Sequence, residues 1–417
     1  MGGRPRLCRV GAIAQRHPRA VPTGGERIVV TGHGWSRRHV LLGATALAAA
    51  GGGLFGVADL AHSATTDSAD RGHGLRVGYL PITDAAPLLI AHSAGRYPSG
   101  AGRPVLFRSW AALAEAFLNR QIDVAHLLMP MAVQLRYALG SGIRVLGWNH
   151  TNGSALTVAP HIEDLTDLAG MQVAIPFWWS IHNIVVQQLL RAHDLKPVVR
   201  RRASRSQRTV ELIVMSPSDM VPALANRSIG AYTVADPFNA VAQIKGIGRI
   251  HAFLGDVWRD HACCALVTRD DVIAAQPAAV QALADAVAGA QLRIAADRGA
   301  AAATLAAEYY LPQPKPALQL ALTYPTPPYA LRHPQWRPQQ IGFRPFPYSG
   351  FTERLVEAMG ETVVDGDRRF LDHIDPSGVH AELVDDTFIR NAMTSYGGPR
   401  VFGLDAGLTR IEEVQPL

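Results

Sequence analysis

The stretch Ile175-Pro176-Phe177-Trp178-Trp179-Ser180-Ile181-His182-Asn183 crowds two indoles, a hydroxyl, an imidazole and a carboxamide into a few positions. Such a set suits recognition of a small molecule, because flat rings give contact area while a few polar tips fix orientation. Residues 171–175 before it read as a short strand, and Ile184, Val185, Gln188, Leu189 and Leu190 after it recur at helical spacing. Residues 176–183 are therefore expected to form a strand-to-helix turn. Helix N-termini carry free N–H groups that attract anions and polar heads, which makes Ser180, His182 and Asn183 candidate ligand contacts. Trp178 and Trp179 divide between pocket wall and core, since adjacent side chains in extended backbone point opposite ways.

The elements around this turn supply further candidates. Strands are expected at 75–80, 105–108 and 124–128, each followed by a helix, and that alternation implies a parallel sheet. Ligands of open α/β sheets bind outside the carboxyl ends of the strands, where Thr83, Asp84, Trp110 and Met129 fall. Thr83 and Asp84 are also N-cap residue types. Strand-like runs at 144–148 and 155–158 flank the polar segment 149–154, whose Asn152-Gly153 pair suggests a hairpin turn, with Asn149 and Thr151 as candidates within it. A second α/β series runs through 171–175, 212–215 and 231–235, bringing in Asp219 at a helix start and Asp236 and Asn239 after a strand. Asp219 has the alternative reading of a helix cap and Asp236, before Pro237, that of a turn former. Strands at 249–253 and 263–267, a helix over 277–296, a proline-rich passage from about residue 312 and helical spacing over 349–395 complete the chain.

The 417 residues suffice for two or three domains. The formal net charge of +6 is concentrated in residues 1–64, which hold eight Arg and no Lys against Glu26 and Asp59. The remainder is formally neutral, so nucleic acid is not an implied partner. Ser36-Arg37-Arg38 precedes an uncharged run from Val40 to Ala58, the pattern of a twin-arginine export signal, with a small-residue cleavage site near Ala61-His62-Ser63-Ala64. The expected location is extracytoplasmic, with the signal cleaved. An uncleaved membrane anchor is the alternative. A lipoprotein is not expected, since no Cys follows the apolar run. Three cysteines, Cys8, Cys263 and Cys264, exclude a disulfide scaffold. The adjacent pair is read either as a strained vicinal disulfide or as two small apolar residues in a buried strand.

Several blocks together resemble the substrate-binding proteins of the nitrate/sulfonate/bicarbonate (taurine) class of ABC importers. They are LRVGYLPITDAAPLLIAHSAGRY (75–97), RSWAALAEAFLNRQIDVAHLLMPMAV (108–133), VAIPFWWSIHN (173–183), SPSDMVPALANRSIGAYTVADPFNA (216–240) and GDVWRDHACCALV (255–267). The resemblance covers roughly 75–330 and implies a type 2 periplasmic-binding-protein fold: two α/β lobes joined by two crossing strands, here followed by a C-terminal extended and helical wrap. Lobe 1 is expected over 75–160 plus 255–325, lobe 2 over 168–248, and the wrap over 326–417. It further implies that Trp110 and His182 approach the ligand, with groups near Asp236-Pro237-Phe238-Asn239 opposite. A charged residue that nitrate- and bicarbonate-type members place near positions 263–264 is replaced here by Cys263-Cys264, which points to a ligand other than a small oxyanion.

The function expected is that of a non-enzymatic receptor holding a small polar or anionic nutrient between two lobes and delivering it to ABC importer permease subunits, after export by the twin-arginine machinery. No cofactor is expected. The alternative is an enzyme on the same fold resembling thiamine-pyrimidine synthase, suggested by His261 close to Cys263-Cys264. That spacing makes no recognisable metal motif, and no Ser-His-Asp order, P-loop or HExxH pattern occurs.

Overall fold

In the computed structural model, residues 74–324 and 331–415 are described; the twin-arginine pattern and Cys8 lie outside them. Strands β1 (Val77–Tyr79), β2 (Val105–Leu106), β3 (Val124–Leu128) and β4 (Ile143–Trp148) open the chain. Strands β5 (Ser154–Val158), β6 (Gln172–Ile175), β7 (Lys196–Val198), β8 (Thr209–Val214), β9 (Ala231–Ala235) and β10 (Arg249–Phe253) follow, and β11 (Cys264–Arg269) is the last. They form two sheets, in the orders β2-β1-β3-β11-β4 and β10-β5-β9-β6-β8-β7.

The alternation of strand and helix gives the parallel pairings β1 with β2 and β3, and β6 with β8 and β9. Both sheets are nonetheless mixed. β11 runs antiparallel between β3 and β4, and β5 runs antiparallel between β9 and β10. The chain thus leaves the first sheet after β4 and comes back to its middle with β11. Because β4 and β5 sit in different sheets, residues 149–153 are no hairpin turn; they are the passage between sheets.

Helix α1 (Ala86–Ser93) follows a short 3-10 turn at Thr83–Ala85. Helix α2 (Trp110–Leu118) starts at Ser109, whose hydroxyl accepts the Ala112 N–H, and α3 (Met129–Leu139) starts directly at the end of β3. Helix α4 (Ile181–Ala192) is capped by Ser180, which accepts the Asn183 N–H at 3.1 Å. The expected strand-to-helix turn at 176–183 is thus present. Further on lie α5 (Phe238–Ile244), α6 (Pro277–Ala296), α7 (Ser349–Glu361) and α8 (Thr387–Ser395).

The last of these belong to the core. Phe351, Leu355, Val356 and Met359 on one side of α7 are all buried. Phe351 meets Trp148 at the end of β4 edge-on at 4.9 Å between ring centroids, and Trp258 at 5.0 Å. The same segment reaches the second sheet's helices, where Gln187 on α4 donates to the Val363 carbonyl and accepts its N–H. Among the described residues, no helix is long and apolar enough to cross a membrane.

Candidate functional site

The passage 149–153 is pinned through its backbone. Gln291 on α6 donates to the carbonyls of Trp148 and Asn149, Thr151 exchanges both backbone hydrogen bonds with Gly342, and the Asn152 N–H donates to the His261 carbonyl. A Cβ at Gly342 would lie 2.4 Å from the Thr151 hydroxyl oxygen, so this approach requires glycine. Gly153, at φ +82°, then turns the chain into β5. The outcome is that His150 is fully buried, with Nε2 3.0 Å from Asp84 Oδ2.

Asp84 sits just past β1, in the 3-10 turn before α1. It caps no helix; its carboxylate faces His150. Cys263 and Cys264 come in from β11, where Cys264 pairs in register with Leu128 at the carboxyl end of β3. The Met129 N–H donates to the Cys263 carbonyl, fixing the start of β11 against α3. The two sulfurs are 3.5 Å apart, both thiols free, and Cys264 Sγ is 3.9 Å from Asp84 Oδ2. From the other sheet, His182 in the first turn of α4 places both ring nitrogens 4.0 Å from Cys263 Sγ, and its Nε2 is 2.9 Å from the Ser154 hydroxyl on β5. Carboxylate, imidazoles, thiols and hydroxyl from both sheets therefore meet in one buried cluster.

Burial pushes the Asp84 carboxyl up to about 6, against the pull of the His150 charge. Burial works to lower His150, but the Asp84 carboxylate outweighs it and raises the imidazole to about 10. Around neutral pH the pair is ionised. Burial also works against ionising Cys263; the Cys264 S–H aimed at it and the nearby His182 and His150 overcome this and hold it well below the usual thiol range. Cys264 moves the other way, raised by burial and by its bond to Cys263. Cys263 is the thiolate-prone sulfur of the two.

The segments that carry the cluster also hold unpaired polar atoms. Asp84 Oδ1, Trp110 Nε1, both amide atoms of Asn149, the Thr151 hydroxyl and both ring nitrogens of His126 are buried with no hydrogen-bond partner. Buried polar groups are nearly always paired, so these atoms are available to a ligand. His126, on β3, lies 6.4 Å from His150 between ring centroids. Burial, reinforced by the His150 charge, lowers it to about 3, so it is neutral in the folded chain. Below pH 6.5 the unfolded chain binds a proton there that the folded one refuses. Measured by urea unfolding, the wild type is expected to lose about 1.4 kcal/mol per pH unit relative to His126→Leu as pH falls from about 6.5 towards 4. A pH-independent difference would show that His126 protonates in place.

The other candidates are positioned differently. Thr83 donates through both N–H and hydroxyl to the Asp236 carbonyl, which links the two sheets' loops. Met129 is buried at the start of α3. Trp178 is half-buried and Trp179 packs edge-on against Phe370 at 5.5 Å. Asn183 donates to the Trp178 carbonyl and accepts from Gln187, Asn239 pairs with Thr157 and the Val234 carbonyl, and Asp236 accepts from Ala240 N–H and the Tyr324 hydroxyl. These three side chains are occupied in holding turns together. Burial raises the Asp236 carboxyl to about 7. Asp219 is exposed in the first turn of the helix Pro217–Ala225, away from the cluster. His150 and Ser154 were missed: a lone His in a presumed turn and a Ser at a strand start carry no spacing signal.

Two mixed sheets whose facing loops close on a buried polar cluster define the two-lobed type 2 binding-protein fold. The structure superposes on that of the periplasmic nitrate-binding protein NrtA from Synechocystis PCC 6803 with a TM-score of 0.68 over 82% of this chain and 94% of its counterpart, at 20% identity. The model of the NMT1-like family matches residues 69–309, and the protein belongs to that family. Relatives include the nitrate/nitrite binding protein NrtA of Nostoc sp., 26% identical over 240 residues that make up 52% of each chain. They also include the bicarbonate transport ATP-binding protein CmpC of Synechocystis sp., 27% identical over 49% of this chain and 32% of that one. The chain spans about half the length of the nitrate-binding relative, and about a third of the other.

Proposed function

We propose that the protein is an extracytoplasmic solute receptor, which holds a small polar ligand between its two lobes and hands it to an ABC importer. The observation that carries this reading is the convergence of Asp84, His150 and Cys263 from one side and His182 and Ser154 from the other on one fully buried site. Hinge opening gives access to such a site, and closure changes the surface offered to a transporter. The likeness to nitrate-binding proteins and to transport ATP-binding proteins supports the importer as partner. An enzymatic reading of the thiamine-pyrimidine synthase kind finds no support among these relatives.

Trp110 and His182 are assigned to the ligand, with Thr151, Asn149 and Asp84 completing the polar ring; Thr83 acts in lobe closure through Asp236. Export by the twin-arginine route, from the Arg37-Arg38 pattern, belongs to the same proposal. A thermal-shift screen across nitrate, nitrite, bicarbonate, taurine, alkanesulfonates and pyrimidines tests it. A true ligand at a hundred times its dissociation constant adds about 2.7 kcal/mol. Trp110→Ala and His182→Ala are expected to weaken that ligand's binding at least tenfold, corresponding to about 1.4 kcal/mol or more, with the fold retained. Unchanged affinity in both variants removes this site, and turnover of a ligand removes the receptor reading.

A further inference from the structure

The donor set of the cluster is unusual for a site that recognises only an organic molecule or an oxyanion. Two thiols, an imidazole and a carboxylate, namely Cys263, Cys264, His150 and Asp84, place one ligand atom each within 4.8 Å of all the others, and all four residues are buried. The His150 Nε2–Asp84 Oδ2 contact is short at 3.0 Å, and His150 Nδ1 has no hydrogen-bond partner.

We infer that the cleft binds a borderline-soft divalent cation of the zinc type through Asp84 Oδ2, His150 Nε2, Cys263 Sγ and Cys264 Sγ. Three of the six spacings are near the edges of a tetrahedron, and all six lie within 4.8 Å. Metal–oxygen and metal–nitrogen bonds of about 2.0–2.1 Å and metal–sulfur bonds of about 2.3 Å give edges of roughly 3.3 Å between O and N, 3.5 Å between O and S and 3.75 Å between two sulfurs. The corresponding separations here are 3.0 Å for Oδ2 to Nε2, 3.9 Å for Oδ2 to Cys264 Sγ and 3.5 Å between the sulfurs. Each differs from its ideal edge by a few tenths of an ångström, a shift that side-chain rotation covers. Thiolate and imidazole donors select zinc-type ions over calcium or magnesium, which take oxygen ligands. His182, 4.0 Å from Cys263 Sγ and bonded to Ser154, lies outside the four and is placed to meet either the thiolate or a co-bound solute from the second lobe.

This inference deepens the receptor reading, since the cation occupies the same cleft, either as the cargo or beneath it. The test uses the full chain, reduced with a phosphine and stripped with a chelator, then titrated with cobalt(II). One equivalent is expected to bind and to develop thiolate-to-metal charge transfer together with the d–d bands of tetrahedral cobalt, and zinc is expected to displace it. Cys263→Ser and His150→Gln, with folding checked by circular dichroism, are each expected to weaken binding by more than the roughly 10–100-fold that loss of an outer-shell partner costs. Binding releases protons from the thiols, read in a weakly buffered titration. Absence of the charge-transfer band, or its persistence unchanged in Cys263→Ser and His150→Gln, overturns the metal site. The solute screen is repeated on the stripped protein: stabilisation by a solute with no cobalt band leaves the receptor reading standing and sinks the metal, whereas a cobalt band with no solute response makes the cation the cargo.

Discussion

Replacing His150 with Leu is expected to cost about 3–5 kcal/mol at neutral pH, measured by urea unfolding of the metal-free chain. The substitution removes the partner of a carboxylate that has no exposure to water. Asp84 already sits at about 6 through burial, with the His150 charge holding it down, so loss of His150 drives it higher. Its folded value then stands well above the unfolded 3.8. An acid whose folded value is raised contributes stability below its unfolded value and loses it as pH rises towards the folded one. Between pH 4 and about 6 wild type and variant carry the same loss, because Asp84 is raised in both, so the deficit of the variant is expected to stay flat there and to grow only above about pH 6, by up to about 1.4 kcal/mol per pH unit until the unfolded His150 titrates near 6.5. A deficit that is constant with pH would mean that Asp84 is not left as a buried unpaired charge. The double variant His150→Leu with Asp84→Leu gives the complement: with both charges gone, most of the loss is expected to be recovered, as is usual when a buried pair is replaced by apolar residues of similar volume.

This pair also marks where the sequence stops being readable. Most strands and helices follow from period and punctuation, as at 231–235 and 277–296, where the structure places β9 and α6 at the expected bounds. Trp110, Met129 and the Ser180–Asn183 turn fall at the ends of strands where the alternation puts them. Sheet membership is another matter. Ala155-Leu156-Thr157-Val158 has the same alternation whichever sheet it joins, and only long-range pairing with Ala231–Ala235 and Arg249–Phe253 puts β5 in the second sheet. Once β4 and β5 part, Asn149–Gly153 changes from a solvent-facing turn into a buried passage, and His150 changes with it. The metal-ligand set was invisible for a related reason: Asp84, His150 and Cys263 come from three separate segments, so no local spacing joins them. Asp219, exposed at a helix start, and Asn239, bonded to Thr157 and the Val234 carbonyl, show the opposite ambiguity, since polar residues at helix starts look alike in sequence whether they face a cleft, water or a backbone turn.

The wrap has its largest expected effect at Phe351. Its side chain is fully buried, edge-on to Trp148 and tilted against Trp258, and the Arg410 guanidinium lies 5.9 Å from its ring centroid. Trp258 is itself tied to the C-terminal segment through its indole N–H to Glu412. Phe351→Ala removes a ring from between two indoles that cannot both collapse into the gap, and the expected loss is about 3–5 kcal/mol. Tyr309→Ala, at a position 84% exposed, is the control and is expected to change stability by less than about 0.5 kcal/mol. Trp148 is followed directly by Asn149 and His150, and its carbonyl is one of the two that Gln291 grips. Loss of the Phe351 ring therefore loosens the support of the passage that carries His150. If ligand affinity falls in Phe351→Ala under conditions where the chain is still folded, the wrap acts as the floor of the site; if stability falls and affinity does not, Gln291 and Gly342 suffice to hold the passage, and the wrap serves the core alone.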